Sequence, residues 1–348
     1  MTDQLADSAE RLFAAHVDKS VIAAAEDGAF PQALWEAMTE AGFTAALLPE
    51  EAGGFGATVA EAMSLLRAAA AHAAPVPLAE TMLAGWLLAG AGLAVPGGVL
   101  SVAPVRRSDL LTLHRTEGGW RLSGTASRVP WARDAAALAV VATGPDGPMV
   151  ALAAAGSFAV THGSNLAGEP RDTIVLDAVL PDGCGAPAPS GFGGLRAAGA
   201  VMRTVQIAGA LSRALVVSVG YVQTRVQFGR PIGKFQAIQH NMAVMAGQSA
   251  AAIAAADMAA DALANGLDPL MIGAAKARAG EAAGIAAGLA HQSHGAIGFT
   301  REYELHPLTR RLWSWRDEFG NEAEWNGVVG RAALAAGPDG LWPALTRA

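Results

Sequence analysis

The hydrophobic pattern changes period twice along the 348-residue chain, and this limits its possible folds more than any other feature. From residue 1 to about 95, Ala, Leu, Glu and Met recur at spacings of three and four, the period of amphipathic helices. From about 98 to 190 the pattern breaks into short apolar or alternating runs at 99–105, 110–114, 120–123, 137–143, 149–153 and 173–176. Turn sequences such as Glu117-Gly118-Gly119 and Gly144-Pro145-Asp146-Gly147 part them, which predicts an antiparallel β domain. From 195 to about 336 helical periodicity returns in long segments at 195–223, 235–265 and 269–294, whose alanines favour helix and close packing. The expected division is a helical domain over 1–97, a β domain over 98–190 and a helical bundle over 191–348, with a Gly/Pro-rich connector at 181–194. Pro31 is expected in the first turn of a helix, and Leu48-Pro49-Glu50-Glu51-Ala52-Gly53-Gly54-Phe55-Gly56 as a loop between helices.

Apolar residues make up 52% of the chain and charged residues 16%, against a usual value of about 25%. Disorder is thereby excluded as the dominant state. A net charge of −7 argues against a general nucleic-acid binder. Cys184 stands alone, so no internal disulfide and no multi-cysteine metal site is possible, and no metal site is expected. No secretory pattern opens the chain, and the expected location is cytoplasmic. Residues 81–105 carry no charge and are long enough to span a bilayer, but Pro96-Gly97-Gly98 interrupts them and Trp86 is the only interfacial anchor. A buried helix followed by a turn is expected there, with no membrane span.

Familiar signatures fail. Gly90-Ala91-Gly92-Leu93-Ala94-Val95 begins like a dinucleotide fingerprint but lacks the third glycine and a βαβ setting. Gly229-Arg230-Pro231-Ile232-Gly233-Lys234 is one residue short of a phosphate-binding P-loop. His291 and His294 share a helix face at a spacing of three, read as packing or ligand contact. Residues 183–256 contain no Asp or Glu, yet hold Arg196, Arg203, Arg213, Arg225, Arg230 and Lys234. Such a stretch in an acidic protein fits an anionic ligand or an acidic partner, or else a solvated basic face.

The run Tyr221-Val222-Gln223-Thr224-Arg225-Val226-Gln227-Phe228-Gly229-Arg230-Pro231-Ile232-Gly233-Lys234-Phe235-Gln236 closely resembles the signature of the acyl-CoA dehydrogenase family. Three further segments match in order: 35–56, then 118–132 ending in Val129-Pro130-Trp131-Ala132, then Gln292-Ser293-His294-Gly295-Ala296-Ile297-Gly298-Phe299-Thr300. The resemblance implies an N-terminal helical domain, a middle antiparallel β-barrel domain and a C-terminal four-helix-bundle domain. It also implies FAD, an acyl-CoA substrate, an oligomer and, as reoxidant, an electron-transfer flavoprotein. Carried over by position, it gives Arg225 a planar fork for a neighbouring subunit's FAD pyrophosphate. Phe228 and Phe235 would pack near the cofactor, Gln227 and Gln236 would add polar contacts, and His294, Gly295, Ala296 and Gly298 would allow close backbone approach. Pro130, Trp131 and Ala132 would face the flavin ring, where Trp131 either stacks or fills space.

The resemblance breaks at the base. The family's dehydrogenation removes the α proton of the thioester with a glutamate while hydride leaves the β carbon for flavin N5. Counting from the late motif, that position holds Phe319, before Gly320, and Glu318 lies one residue earlier. The family's second base position falls within the acid-free stretch. Glu318 is therefore either a displaced base (with Glu322 a more distant one) or a surface carboxylate pairing with Arg316 or Arg310. In the latter case the chain is a non-catalytic partner that completes the FAD site of a longer homologous subunit. Trp313, Trp315 and Trp325 with Arg316 suggest an aromatic interface or a capped cleft. Ala208, Gly209 and Ala210 either leave room for a bulky acyl group or serve helix packing.

Overall fold

The computed structural model describes residues 2–189 and 194–346. The first helices are α1 (Thr2–His16), α2 (Lys19–Glu26), α3 (Gln32–Glu40), α4 (Val59–Ala71) and α5 (Leu78–Gly90). Pro31 sits at the N-cap of α3, one residue before its first turn. Helix α4 starts at a capping box, in which Thr58 Oγ1 accepts from the Glu61 N–H while the Glu61 carboxylate accepts from the Thr58 N–H. Helix α5 is buried almost all round, its charged Glu80 included. The uncharged 81–105 segment is thus a core helix, a turn and a strand.

Eight strands follow: β1 (Leu100–Ala103), β2 (Leu111–Thr116), β3 (Gly119–Pro130), β4 (Ala137–Gly144), β5 (Gly147–Ala154), β6 (Phe158–Thr161), β7 (Arg171–Leu180) and β8 (Gly185–Pro187). They form one sheet in the order β6-β7-β3-β2-β4-β5-β8, with β1 also paired to β4. Two corrections follow. The sheet is mixed, because β1 and β2 both run parallel to β4, and it is open rather than a closed barrel, with β6 and β8 as its ends. All four residues of β1 are buried, and α5 packs against β1, β4 and β5. A strand covered on both faces reads as an unbroken apolar run, which carries no direction. Strand β8 lies inside the expected connector, and the 190/191 boundary falls outside the described residues.

The C-terminal helices are α6 (Leu195–Thr224), α7 (Gln236–Ala264), α8 (Pro269–His294), α9 (Leu305–Asp317) and α10 (Glu322–Thr346). The first four form the bundle, and α10 lies along α8 with a break at Gly337. Helices α6 and α7 are long and apolar enough to cross a membrane, but they pack against each other and against α8. Ala208, Gly209 and Ala210 serve packing. A Cβ on Gly209 would lie 2.2 Å from the Arg67 carbonyl of α4, so this contact leaves no room for an acyl group.

Candidate functional site

Glu318 follows the last turn of α9 and is not at the surface. Arg171, at the start of β7, grips it with a fork, Nε to Oε1 at 2.7 Å and Nη2 to Oε2 at 3.0 Å. Arg203 of α6 donates through Nε to Oε2 at 2.8 Å, and Asn165 Nδ2 donates to Oε1 at 3.1 Å. Arg203 also donates to Glu80 of α5 at 2.6 Å, and Arg171 to Glu169 at 2.9 Å. Trp315 Nε1 donates to Glu169, and the buried Arg311 lies 3.4 Å from it. Three arginines and three glutamates from all three parts of the chain thus form one buried network. Burial alone would raise the Glu318 pKa, but Arg171 and then Arg203 outweigh it and pull it down to about 2.

The expected pairing of Glu318 with Arg316 or Arg310 is therefore corrected. Arg316 binds Glu322 at 3.0 Å, which also removes Glu322 as a free carboxylate, and Arg310 binds Glu26 at 3.0 Å. Phe319 is buried in the left-handed region, at φ +55°. Its ring fills the space over Gly199, where a Cβ would lie 2.2 Å from it. Lys276 ties down the same segment by donating to the carbonyls of Arg316 and Gly320, at 2.6 and 2.9 Å. Of the aromatic tail, Trp315 and Trp325 are core residues, and Trp325 Nε1 donates to the Phe319 carbonyl. Trp313 is half-buried, stacked on His291.

A second group forms where α6 ends. Arg225 is its C-cap, and a hairpin follows, β9 (Val226–Gln227) and β10 (Arg230–Pro231). The turn residues Phe228 and Gly229 both have positive φ, +51° and +77°, the signature of the tight hairpin turn whose first site normally takes Asn or Asp. Phe228 accepts that strain and is 90% exposed. Phe235 meets it edge-on, and the Arg230 guanidinium lies 4.3 Å from the Phe235 ring centre. Arg225, Gln227 and Gln236 are exposed, and among the described residues Arg225, Arg230 and Lys234 form no ion pair. The basic stretch is thus split: Arg203 is buried in the network, Arg196 and Arg213 pair with Glu324 and Glu304, and the rest lies at the hairpin without an ion pair among the described residues. One turn before Arg225, Tyr221 stacks on His294 with ring centres 4.3 Å apart. That contact places the late motif, with Gly295 and Ala296 exposed and Gly298 buried, beside the end of α6. Burial lowers the His294 pKa, so the ring is neutral near pH 7.

Pro130, Trp131 and Ala132 are all buried. Trp131 meets Phe30 edge-on at 6.2 Å, so its ring fills space between the N-terminal helices and the sheet. Its turn is pinned by the Trp131 N–H donating to the Pro170 carbonyl and the Arg133 N–H donating to the buried Asp172 carboxylate.

The N-terminal domain model of acyl-CoA dehydrogenases matches residues 2–94 and the C-terminal domain model residues 196–322. Acyl-CoA dehydrogenase IpdE2 of Mycolicibacterium smegmatis is 30% identical over 291 residues, 80% of each protein. The chain belongs to the acyl-CoA dehydrogenase family. The Mycobacterium tuberculosis IpdE2 is 27% identical over 88% of this chain and 89% of its own. Among solved structures, the Tcur3481-Tcur3483 steroid acyl-CoA dehydrogenase variant superposes with a TM-score of 0.87 at 28% identity, covering 96% of this chain and 98% of that one. The ChsE4-ChsE5 complex from M. tuberculosis gives 0.84 at 25% identity, over 97% and 98%.

The family's members are flavoprotein oxidoreductases acting on CH–CH bonds, with FAD as cofactor. In this acyl-CoA dehydrogenase, Glu318 is held as an anion by two guanidinium groups, and the adjoining position is filled by an aromatic ring. Arg171, Glu169 and Glu80 were not singled out from the sequence. The available signal was a charged residue inside an apolar helix, as with Glu80 in Leu78–Gly90 and Arg203 in Leu195–Thr224, since such a charge needs a buried partner.

Proposed function

We propose that this chain is the base-deficient member of a pair of unlike acyl-CoA dehydrogenase subunits, working in the cytoplasm on an acyl-CoA with a steroid-derived side chain. The observation that carries the reading is the state of Glu318: a carboxylate pulled down to about 2 between Arg171 and Arg203 is a poor proton acceptor near neutral pH. No other carboxylate stands in for it in the acid-free stretch. The partner subunit then supplies the base for the α proton. FAD, when bound, supplies the acceptor for the hydride leaving the β carbon.

This chain's contribution is positioning. Arg225 presents an unpaired, exposed fork of donors of the kind that suits a diphosphate. Phe228 offers an exposed ring beside it, with Gln227, Gln236 and the turn from His294 to Gly298 as polar and backbone neighbours. Pro130, Trp131 and Ala132 of this chain's own sheet are buried, and in this reading the flavin that Arg225 serves is the partner's. Likeness to a steroid acyl-CoA dehydrogenase and to a two-protein complex supports both the pairing and the substrate class. Electrons leave through an electron-transfer flavoprotein.

The test is to purify the chain alone and with a longer homologue and to titrate each anaerobically with acyl-CoA. The expected result is a colourless lone chain and a yellow complex that bleaches, with Arg225→Ala in this chain lowering the flavin content of the complex. A lone chain that is yellow and bleaches on its own overturns the reading.

A further inference from the structure

A pocket of about 160 Å³ opens where the N-terminal helices meet the segment that leads into α9. An apolar cavity of about 150 Å³ is enough to hold a benzene ring. The body of this pocket is apolar: Val17 at the junction of α1 and α2, Ile22 and Ala23 of α2, Ala73 after α4, and Pro307 and Leu308 of α9. Ala73 is buried and sits in the left-handed region at φ +51°, one residue beyond the C-cap of α4, where glycine is usual. The strained backbone thus carries a methyl group at the pocket wall.

The mouth is charged, and its acids and bases differ in how fully they are engaged. Each lining acid has a donor: Asp18 accepts from the Val21 N–H at 2.9 Å, Glu26 from Arg310 at 3.0 Å and Glu304 from Arg213 at 2.8 Å. Two lining cations keep donors that are not engaged. Lys19 donates to the Glu302 carbonyl at 2.7 Å and forms no ion pair among the described residues, which leaves two of its three N–H groups. Arg301 stands 3.6 Å from Glu26 and 3.5 Å from Asp27, forms no hydrogen bond with either, and has a side chain 64% exposed.

We infer that this pocket binds a small monocarboxylic acid with a compact apolar body. The ring or branched chain lies among Ile22, Ala23, Ala73 and Leu308, and the carboxylate bridges Lys19 and Arg301. The apolar lining calls for the body, and the unengaged donors at the mouth call for one anionic group. A neutral molecule leaves those donors as they are, and a cation is repelled by them. None of the lining residues belongs to the Glu318 network or to the group around Arg225, so the site is separate from the chemistry proposed above. Its walls come from the N-terminal helices and from the approach to α9, and the ligand fastens the one to the other.

The experiment is calorimetric titration of the purified assembly with benzoate and, in parallel, with benzyl alcohol, a neutral molecule of similar size. One benzoate site per copy of this chain is expected, about tenfold tighter than benzyl alcohol and weakened by salt. Lys19→Gln and Arg301→Gln alter exposed side chains and keep the fold. Each is expected to weaken benzoate about three- to tenfold and to leave benzyl alcohol unchanged. Ala23→Leu fills the pocket and is expected to abolish both, with thermal unfolding checking that the variant is folded. Benzoate should also raise the unfolding temperature of the unaltered assembly with increasing concentration. Absence of a benzoate site at millimolar concentration, equal affinity for the two probes, binding indifferent to Lys19→Gln and Arg301→Gln, or displacement of benzoate by acyl-CoA overturns the inference.

Discussion

Glu318 shows how little a residue's number says about its chemistry. Its place next to the family's base position is legible in the sequence, but its partners lie 147 and 115 residues away and were not. Counting along a chain locates a carboxylate, whereas contacts at long range set its proton affinity. Replacing it by Gln leaves Arg171 and Arg203 without their shared anion, and should cost about 3–5 kcal/mol in urea denaturation, as removal of one partner of a buried ion pair does. Gly199 has a plainer task. A Cβ there would collide with the Phe319 ring, so Gly199→Ala should destabilise by about 1–3 kcal/mol. In a double-mutant cycle, Gly199→Ala with Phe319→Ala should cost less than the sum of the two single changes.

Among the elements, the long C-terminal helices were legible to within a residue or two because their alanine-rich pattern runs far beyond any strand. The sheet was less so. Strand β6 is four residues long and half-buried, β8 is three, and the parallel pairings of β1 and β2 with β4 leave no mark on alternation. The hairpin after α6 was legible as a motif, not as a strained turn with a phenylalanine at its tip. Because that ring is 90% exposed, Phe228→Ala should change the chain's own stability by no more than about 0.5 kcal/mol. Sedimentation of the assembly should nevertheless show weaker association, since exposed aromatic rings are typical anchors of interfaces.

At the scale of the molecule the buried network joins α5, β7, α6 and α9, so none of the three parts can leave without exposing a charge mismatch. Calorimetry should therefore record one unfolding transition rather than separate domain melts. Acid should undo it. Glu318 and Glu169 are both held below the ordinary carboxylate range in the folded state, so unfolding takes up protons and stability falls as the pH drops from about 5 toward about 2. Above that range their contribution is complete. A neutral ledger of three acids and three bases also restricts how such a chain drifts over generations. A descendant that loses Glu80 leaves the guanidinium at 203 to share Glu318 with Arg171, one anion short, unless it sheds a positive charge as well, so these six positions are expected to change in matched sets, and chimaeras that swap only one region between distant relatives should fold poorly.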